Sequence, residues 1–338
     1  MLLASTQKLY QGIAQGNIIA DFTIPAFNLR LLTMDLAQAV FRVAKKNKAT
    51  AFIFELARSE MEYTAQPPQE YADNILKAAE AENWQGPVFL QADHFKIKKE
   101  EFLASPKQAL TDLEVLIERA IKAGFYNIDI DCSALDMASN IKQTAYFINY
   151  IRKLQPPGLE ISVWGEVGEI GKANTTVSQL SQFLLGLEKE LASYGDIKGI
   201  SKVAVQTGTS HGKGGVIDWP NLKALAQEAK KHNLPGIVQH GASTLPKSEF
   251  SKFAQAGVCE IHLATELMDI VLGSPNFPKK IKEKIKTKRD IGPNKKEIDA
   301  MPQEIKNKLA QEVVKEFAFF FQELKVGNTQ ELIYKLFN

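Results

Sequence analysis

The chain alternates between short apolar segments and longer segments in which apolar residues recur at helical spacing. Eight of the short segments are rich in β-branched or aromatic residues. They are nearly continuous apolar runs, as expected of strands covered on both faces. They lie at residues 24–29, 49–55, 87–93, 126–131, 159–166, 202–207, 236–240 and 258–264. Helical patterns between and after them lie at residues 32–47, 110–124, 141–154, 219–233 and 247–257.

Strands that alternate with helices predict parallel β-α-β units. Eight such strands over roughly 250 residues favour a closed (β/α)8 TIM barrel, which is an α/β fold. A doubly wound open sheet is the alternative, but its G-x-G-x-x-G fingerprint is absent after the first strand. We therefore expect a barrel over residues 1–275 and a C-terminal helical extension over residues 276–338.

The predicted extension contains two distinct segments. Residues 277–290 are strongly basic, and residues 301–326 have the pattern of one long helix. The helix carries the run FAFFF at 317–321, which must be buried on the barrel or on a second subunit. We expect the basic segment to be a solvated face. A nucleic-acid patch has weak support because no aromatic residues interleave the run. A further alternative is that the segment places a cationic side chain against a substrate phosphate across a dimer interface.

Composition and charge are those of an ordinary globular protein, since 45% of the 338 residues are hydrophobic and 24% are charged. The net charge of +2 points to neither a nucleic-acid nor a membrane partner. No apolar run reaches the ~18 residues of a membrane span, and the first residues lack the pattern of a signal peptide. The chain has two cysteines, Cys132 and Cys259, which favours a reducing cytoplasm.

Bulky polar residues recur where the predicted strands end, and catalytic residues of a (β/α)8 barrel lie at that edge. Four of the five histidines are among them. Each histidine alone could be a neutral, hydrogen-bonded residue, but four converging imidazoles with a nearby carboxylate predict a divalent metal site, and nitrogen ligands favour zinc. The polar residues of this edge are Asp93, His94, Asp131, Ser133, Glu166, His211, His240, Ser243, His262 and Thr265.

Glycines next to two of these histidines, Gly212 after His211 and Gly241 after His240, indicate a second role for the same edge. Their backbone N–H groups are not obstructed by side chains. Such groups can bind phosphate oxygens, which barrels often hold in the loops after their last strands. The alternative is that these glycines only permit tight turns. Beside a metal site, we expect them to hold a phosphate.

Six short motifs occur in a fixed order within residues 10–270. They are PAFNL (25–29), QADHF (91–95), IDCSAL (130–135), SVWGEVGEIG (162–171), TGTSHG (207–212) and QHGAST (239–244). This ordered set resembles that of the class II, zinc-dependent fructose-bisphosphate aldolases and their ketose-bisphosphate relatives. The resemblance implies a homodimer or homotetramer that cleaves a ketose phosphate by a retro-aldol reaction, without a lysine Schiff base.

The resemblance also implies the metal and proton-transfer residues. His94, His211 and His240 would bind zinc or another divalent metal, with Glu166 as an alternative fourth ligand. Asp93 would be the acid/base at the aldol hydroxyl. Whether a monovalent cation is also bound is left open.

The substrate residues implied by the resemblance surround the same edge. Gly212, Gly241 and Ser243 would hold a phosphate through backbone and hydroxyl groups, and Thr265 is a further candidate for substrate or phosphate binding. Asn28 would contact the dihydroxyacetone-like part of the ketose. The roles of Asp131 and Ser133 in the IDCSAL motif are left open.

The sequence departs from the family pattern in three places. The family usually has Asn-x-Asp-Thr-Asp on the last strand, where this chain has HLATE, with His262 for the asparagine and Ala264 for the first aspartate. The family's Gln-x-Ser is ELA here, which places Glu55 near the expected phosphate and removes a hydroxyl. Asn174 stands where a catalytic glutamate is expected in the mobile loop.

Three functions follow, in order of preference. The first is a metal-dependent aldolase whose substrate is a ketose bisphosphate, with fructose 1,6-bisphosphate as the leading case. The second is an aldolase of the same type on an unusual ketose that lacks the C1 phosphate, which the three departures favour. The third is a non-catalytic barrel subunit, which the retention of Asp93 and the three histidines argues against.

Overall fold

The predicted closed barrel is confirmed. The computed structural model describes residues 3–169, 171–209 and 215–337 of the chain. Within these residues, all strand pairs are parallel, and eight strands form a ring because the last strand pairs with the first and the third pairs with the fourth. An open doubly wound sheet is thereby excluded. A short N-terminal strand, β1 (Leu3–Ala4), pairs with the start of the third barrel strand.

The barrel strands in chain order are β2 (Ile24–Asn28), β3 (Ile53–Ala57), β4 (Val88–Lys96), β5 (Asn127–Asp131), β6 (Ser162–Val167), β7 (Val203–Val205), β8 (Ile237–Gln239) and β9 (Val258–Leu263). The helices are α1 (Gln7–Ala14), α2 (Thr33–Asn47), α3 (Arg58–Tyr63), α4 (Pro68–Ala81), α5 (Lys99–Ala104), α6 (Pro106–Lys122), α7 (Met137–Leu154), α8 (Val177–Ala192), α9 (Trp219–Lys231), α10 (Phe253–Ala256), α11 (Thr265–Gly273), α12 (Lys279–Lys282), α13 (Lys295–Asp299), α14 (Gln303–Glu323) and α15 (Gln330–Phe337). Short 3-10 turns cover Ala242–Thr244, Lys247–Lys252, Lys288–Asp290 and Gly292–Asn294.

The predicted strand at 49–55 is displaced towards the C-terminus, because β3 covers Ile53–Ala57. The cause lies in the preceding residues, whose backbone N–H groups are bonded elsewhere. Thr50 and Ala51 both donate to the Thr329 hydroxyl, at 3.0 and 3.1 Å, and are therefore tied to the C-terminal segment. The displacement places Glu55 in the middle of the strand, where its side chain is fully buried.

The aromatic run of the C-terminal segment is buried on the barrel of the same chain. Phe317, Phe320 and Phe321 of α14 surround Phe27 of β2, with ring centroids 5.2, 6.4 and 5.6 Å from its centroid. The basic run at 277–290 forms α12 and a 3-10 turn, and its lysines are mostly exposed. None of the described helices is both long enough and apolar enough to cross a bilayer.

The amino end of the barrel is closed by the first residues of the chain. Asn127, at the start of β5, accepts bonds from the backbone N–H and the hydroxyl of Thr6, both at 2.7 Å. Its amide donates in turn to the Leu90 carbonyl at 2.8 Å. Thr6 and Asn127 are both buried, so the first residues of the chain cover this end, and the carboxyl ends of the strands form the mouth.

Candidate active site

A β-bulge in β4 directs two consecutive side chains towards the mouth of the barrel. The register between β4 and β5 shifts between Ala92 and Phe95, and His94 has a positive φ of 43°. The His94 backbone N–H donates to the Asp129 carboxylate at 3.1 Å. Successive side chains of a regular strand point to opposite faces. The bulge is what allows Asp93 and His94 both to contribute to one site.

Carboxylates from β5 and β6 surround the His94 ring. Its Nδ1 lies 2.6 Å from Glu166 Oε1 and 3.3 Å from Asp131 Oδ2. Asp131 is held in place by Ser133, whose backbone N–H and hydroxyl donate to Oδ1 at 3.0 and 2.6 Å. Ser133 therefore orients the Asp131 carboxylate.

His240, the first residue after β8, completes the cluster from the opposite side. Its Nε2 lies 3.5 Å from Asp93 Oδ1 and 4.0 Å from Glu166 Oε1. Its ring centroid is 4.4 Å from that of His94. The His240 carbonyl accepts a bond from the Thr209 hydroxyl at 2.8 Å, which fixes the turn. Three of the four predicted metal ligands, His94, Glu166 and His240, are thus brought together.

The cluster has the donor set of a divalent cation site. Asp93, His94, Asp129 and His240 each offer one ligand atom, and these atoms lie within 4.8 Å of one another. Buried polar atoms are normally hydrogen-bonded, yet His240 Nε2 and Asp129 Oδ1 have no hydrogen-bond partner among the described residues. Imidazole nitrogens and carboxylate oxygens are ligands that zinc accepts. The residues present therefore fit a divalent metal.

His211 and Gly212, the third predicted ligand and its neighbour, lie outside the described residues. The third histidine ligand and half of the glycine phosphate site therefore stay predictions.

Burial and neighbouring charges shift the pKa values of the cluster in different directions. Burial opposes ionisation of Asp93, but the imidazoles of His94 and His262 outweigh it and hold the pKa of Asp93 well below its usual value. Burial, with the charges of His262 and His94, lowers the pKa of His240. Burial and the Glu166 charge raise the pKa of Asp129. Asp93 is therefore kept as a carboxylate, and His240 as the neutral imidazole that a metal requires.

A cavity of about 370 Å³ opens beside this cluster at the mouth. Asp93, His94 and His240 line one side of it. Four of the five predicted substrate residues also line it, namely Asn28, Gly241, Ser243 and Thr265. Gly241 has a φ of 66°, which glycine adopts without strain. The predicted metal, acid/base and phosphate residues thus face one space large enough for a small molecule.

Asn28 has its polar atoms bonded to the wall of the cavity. Its amide donates to Glu60 Oε2 at 2.6 Å, and its oxygen accepts from Arg30 Nε at 3.1 Å. Arg30 Nη2 lies 2.5 Å from Glu60 Oε1. This ion pair was missed from the sequence. Arg30 follows the PAFNL motif directly, and Glu60 is the third residue of α3. Lys288, from the basic run, lines the cavity beside Arg30.

Among the described residues, Asn174 makes no hydrogen bond with the cluster. It lies in the loop after β6, which Thr175 ties to neighbouring strands. The Thr175 backbone N–H donates to the Gln206 carbonyl at 2.8 Å, and its hydroxyl donates to the Val167 carbonyl at 2.6 Å. Asn174 stays a candidate only by its place in the loop.

His262 and Glu55, whose roles the sequence left open, lie deeper in the barrel. His262, on β9, has its ring centroid 4.3 Å from that of His240, and its Nδ1 lies 3.2 Å from Glu55 Oε2. The carboxylates of Glu55 and Asp93 outweigh burial and raise the pKa of His262 to about 10. Burial raises the pKa of Glu55 well above its usual value. A negative charge on Glu55 would repel a nearby phosphate, and the raised pKa of Glu55 weakens that repulsion.

Asp129 was not recognised from the sequence as a site residue. It lies two residues before Asp131 in the segment YNIDID. Residues i and i+2 of a strand share one face, so the pair of aspartates in an apolar strand was a usable signal. Gln91, Lys202 and Glu260 were missed as well, because each lies before the carboxyl end of its predicted strand.

Comparison with known proteins adds a family and three structural neighbours. The family model for class-II fructose-bisphosphate aldolase matches residues 8–322. A candidate fructose-1,6-bisphosphate aldolase from Coccidioides immitis has 18% identity and a TM-score of 0.65, with 95% of this chain and 96% of that chain covered. The YdjI aldolase from Escherichia coli K12 has 18% identity and a TM-score of 0.62, with 97% of each chain covered. The fructose-bisphosphate aldolase from Campylobacter jejuni has 19% identity and a TM-score of 0.62, with 96% of each covered.

Proposed function

Because the chain belongs to the class II fructose-bisphosphate aldolase family, we propose that it cleaves a ketose phosphate reversibly by a metal-dependent retro-aldol reaction. Fructose 1,6-bisphosphate is the leading substrate, and its products would be dihydroxyacetone phosphate and an aldehyde. The observation that carries the proposal is the convergence of Asp93, His94 and His240 beside a cavity of about 370 Å³.

We propose that His94 and His240 hold a divalent cation, zinc in the first instance, with His211 as the predicted third nitrogen ligand and Glu166 as a further one. When bound, such a cation acts as a Lewis acid on a carbonyl oxygen. Glu166 is 2.6 Å from His94 Nδ1 and orients that ring as well.

Asp93 is proposed to move the proton of the C4 hydroxyl. Its carboxylate is buried, ionised and open to the cavity. In cleavage, the C3–C4 bond breaks, its electron pair stays with C3, and Asp93 accepts the hydroxyl proton as the aldehyde forms. In condensation, Asp93 returns that proton. C3 must take up a proton to complete dihydroxyacetone phosphate. Solvent water at the mouth would supply it, because the Asn174 amide does not titrate at neutral pH.

Ser243 and the Gly241 backbone are proposed to bind a phosphate at the same mouth. Both line the cavity next to His240, and Ser243 is buried. Lys288 would add a positive charge from the C-terminal segment of the same chain.

A ketose that lacks the C1 phosphate is the second candidate substrate. The amide of Asn28 is already bonded to Glu60 and Arg30. Ala57 and Ala264 offer no hydroxyl or carboxylate where the family usually has one, and both line the cavity. These features favour a sugar that is recognised differently from fructose 1,6-bisphosphate.

A substrate panel tests the proposal and separates the two candidates. Aldehyde release is measured from ketose bisphosphates, ketose monophosphates and free ketoses, with metal-loaded protein and with protein treated with a chelator. The proposal predicts cleavage of at least one of these sugars, its loss on chelation and its return when zinc is added back. Cleavage that survives complete removal of metal contradicts it, and so does zinc-loaded protein that cleaves none of these sugars.

A further inference from the structure

A further group of side chains that can bind a metal lies deeper in the barrel than His94 and His240. It consists of Glu55 of β3, Asp93 of β4 and His262 of β9, and we call it the inner triad. Each residue offers one ligand atom, and these atoms lie within 4.8 Å of one another. All three residues line the cavity. Because the sequence departs from the family pattern at Glu55 and His262, the family resemblance does not imply this group.

The ligand atoms of the inner triad are buried, and several of them lack a hydrogen bond. Glu55 has no exposed surface, and Asp93 and His262 are each 4% exposed. Glu55 Oε1, Asp93 Oδ1 and His262 Nδ1 have no hydrogen-bond partner among the described residues. Buried polar atoms are normally hydrogen-bonded. One unsatisfied atom on each of three adjacent side chains therefore indicates a ligand that all three contact.

The spacing within the inner triad suits a small cation. His262 Nδ1 lies 3.0 Å from Asp93 Oδ1 and 3.2 Å from Glu55 Oε2, but neither contact is aligned as a hydrogen bond. Zinc binds nitrogen and oxygen ligands at about 2.0–2.2 Å in tetrahedral geometry, which places neighbouring ligand atoms about 3.3–3.5 Å apart. Small side-chain shifts would therefore let these atoms surround a cation.

The other nitrogen of His262 already has an acceptor. His262 Nε2 lies 2.9 Å from Glu260 Oε1 and can donate to it. The Gln91 amide nitrogen is 3.2 Å from His262 Nε2, but it donates its two hydrogens to Glu55 Oε2 at 3.0 Å and to Glu260 Oε1 at 2.9 Å. A neutral imidazole that donates from Nε2 has a lone pair on Nδ1. A histidine that ligates a metal usually has this arrangement.

The charges around the inner triad also favour a cation. Three carboxyl groups, those of Glu55, Asp93 and Glu260, surround the His262 ring. Lys202 pairs with Glu260, whereas no lysine or arginine of the described residues forms an ion pair with Glu55 or Asp93. Buried charges are normally paired or coordinate a metal ion. A cation at the inner triad would supply the missing positive charge.

We propose that the inner triad binds a second divalent transition-metal ion, in addition to the cation proposed for His94 and His240. One imidazole nitrogen with two carboxylate oxygens is a donor set that zinc accepts. Three protein ligands leave a coordination position open to the cavity, where a water or an oxygen of a bound molecule can enter. Only a contact between this ion and a sugar would rest on the proposed function; the site itself does not.

Asp93 would take part in both sites with different atoms. Its Oδ1 is the ligand atom of the inner triad, and its Oδ2 remains for the proposed proton transfer. An asparagine at position 93 would keep an oxygen that can replace Oδ1 as a ligand. Replacement of Glu55 or His262 is therefore the sharper test of the second ion.

Metal stoichiometry tests the proposal without an assay of activity. Protein freed of metal by a chelator is loaded with zinc, passed through a desalting column to remove loosely bound zinc, and analysed for metal. We expect about two zinc ions per wild-type chain, and about one in Glu55→Gln and in His262→Leu, because each variant removes a ligand. The matched controls are Glu100→Gln, at an exposed position, and His232→Leu, at the end of α9. Both should keep the wild-type metal content.

Thermal unfolding shows which variants are folded, and the near-isosteric Glu55→Gln guards against a His262→Leu protein that does not fold. A wild type that retains only one zinc ion would overturn the proposal, since a proton on His262 Nδ1 would then be the better occupant. A folded variant that retains two ions, or that loses both, would also overturn it.

Anomalous diffraction at the zinc edge locates the second ion in the wild type without any variant. We expect a peak about 2.0–2.1 Å from His262 Nδ1. A second ion found only on the protein surface would overturn the proposal. A protein that holds zinc at the inner triad but cleaves no ketose would support the second site and contradict only the proposed function.

Discussion

The mouth and the interior of the barrel hold two groups of buried polar residues that differ in how their atoms are satisfied. At the mouth, His240 Nε2 and Asp129 Oδ1 have no hydrogen-bond partner among the described residues. Inside the barrel below the mouth, three residues that we call the interior chain are bonded to one another, namely Lys202, Gln91 and Glu260. Unsatisfied buried atoms are costly. The mouth is therefore arranged for a ligand that completes it, whereas the interior chain is complete and can only support what lies above it.

Replacement of His240 at the mouth should have the largest effect on metal content and turnover. We expect His240→Ala to lose the bound metal and to lower turnover by at least ~10³-fold, because a Lewis acid contributes several kcal/mol to such a reaction. Metal analysis and aldehyde release on the same preparation measure both effects. His232→Ala is the control. Full activity in His240→Ala with metal retained would remove His240 from the site.

Replacement of the proposed acid/base should separate chemistry from metal binding. We expect Asp93→Asn to keep its metal but to lower kcat by ~10²–10⁴-fold, the usual contribution of a positioned general acid or base. Asp196→Asn, an exposed residue beyond α8, is the matched control. Loss of the metal at the mouth in Asp93→Asn would instead make Asp93 a ligand of that ion.

The interior chain should contribute to the pH dependence of the free energy of unfolding. Lys202 and His262 outweigh burial and lower the pKa of Glu260 to about 2. A carboxyl group with a lowered pKa stabilises the fold above its unfolded value and loses that contribution as the pH falls through its folded value. Between pH 4.5 and 2, we expect this one group to account for at most about 3 kcal/mol of the wild-type loss in unfolding free energy.

Urea unfolding at several pH values measures this contribution. The double variant with Lys202→Met and Glu260→Gln should lose less stability than the wild type over the same range. Parallel pH dependences in the two proteins would contradict the assignment.

Replacement of Ser243, the proposed phosphate-binding residue, should give the smallest change in kinetics. We expect Ser243→Ala to raise KM for a phosphorylated ketose by about tenfold with kcat largely kept, because a hydrogen bond to a charged group is worth about 1.5–3 kcal/mol. Ser193→Ala, on an exposed turn, is the control. An unchanged KM for every phosphorylated sugar would favour a substrate whose phosphate, if any, lies elsewhere.

The parts of the molecule that follow a local pattern could be predicted from the sequence. All eight barrel strands were located, and so was their alternation with helices, because buried parallel strands are continuous apolar runs. The strand of Glu55 was displaced furthest, since the residues before it are bonded to Thr329, which is far away along the chain. The burial of the FAFFF run was predicted, although the sequence left open whether the barrel or a second subunit would cover it.

Candidate residues at the ends of strands could be predicted from the sequence. Residues that are brought together by contacts across the barrel could not. Asp93, His94, Glu166 and His240 come together as expected at the carboxyl edge. The pairing of Lys202 with Glu260 joins strands far apart in sequence, and nothing local marks either residue as a partner of the other. The bulge that directs both Asp93 and His94 to the mouth depends on the register with β5, which the sequence does not specify.

The central claim is that a divalent cation is bound by the mouth histidines. Anomalous X-ray diffraction from a crystal of the zinc-loaded protein, collected on both sides of the zinc edge, tests it most directly. We expect one peak at bonding distance, about 2.0–2.1 Å, from a ring nitrogen of both His94 and His240. An active, zinc-loaded protein with its peak elsewhere and these two rings unligated would contradict the claim.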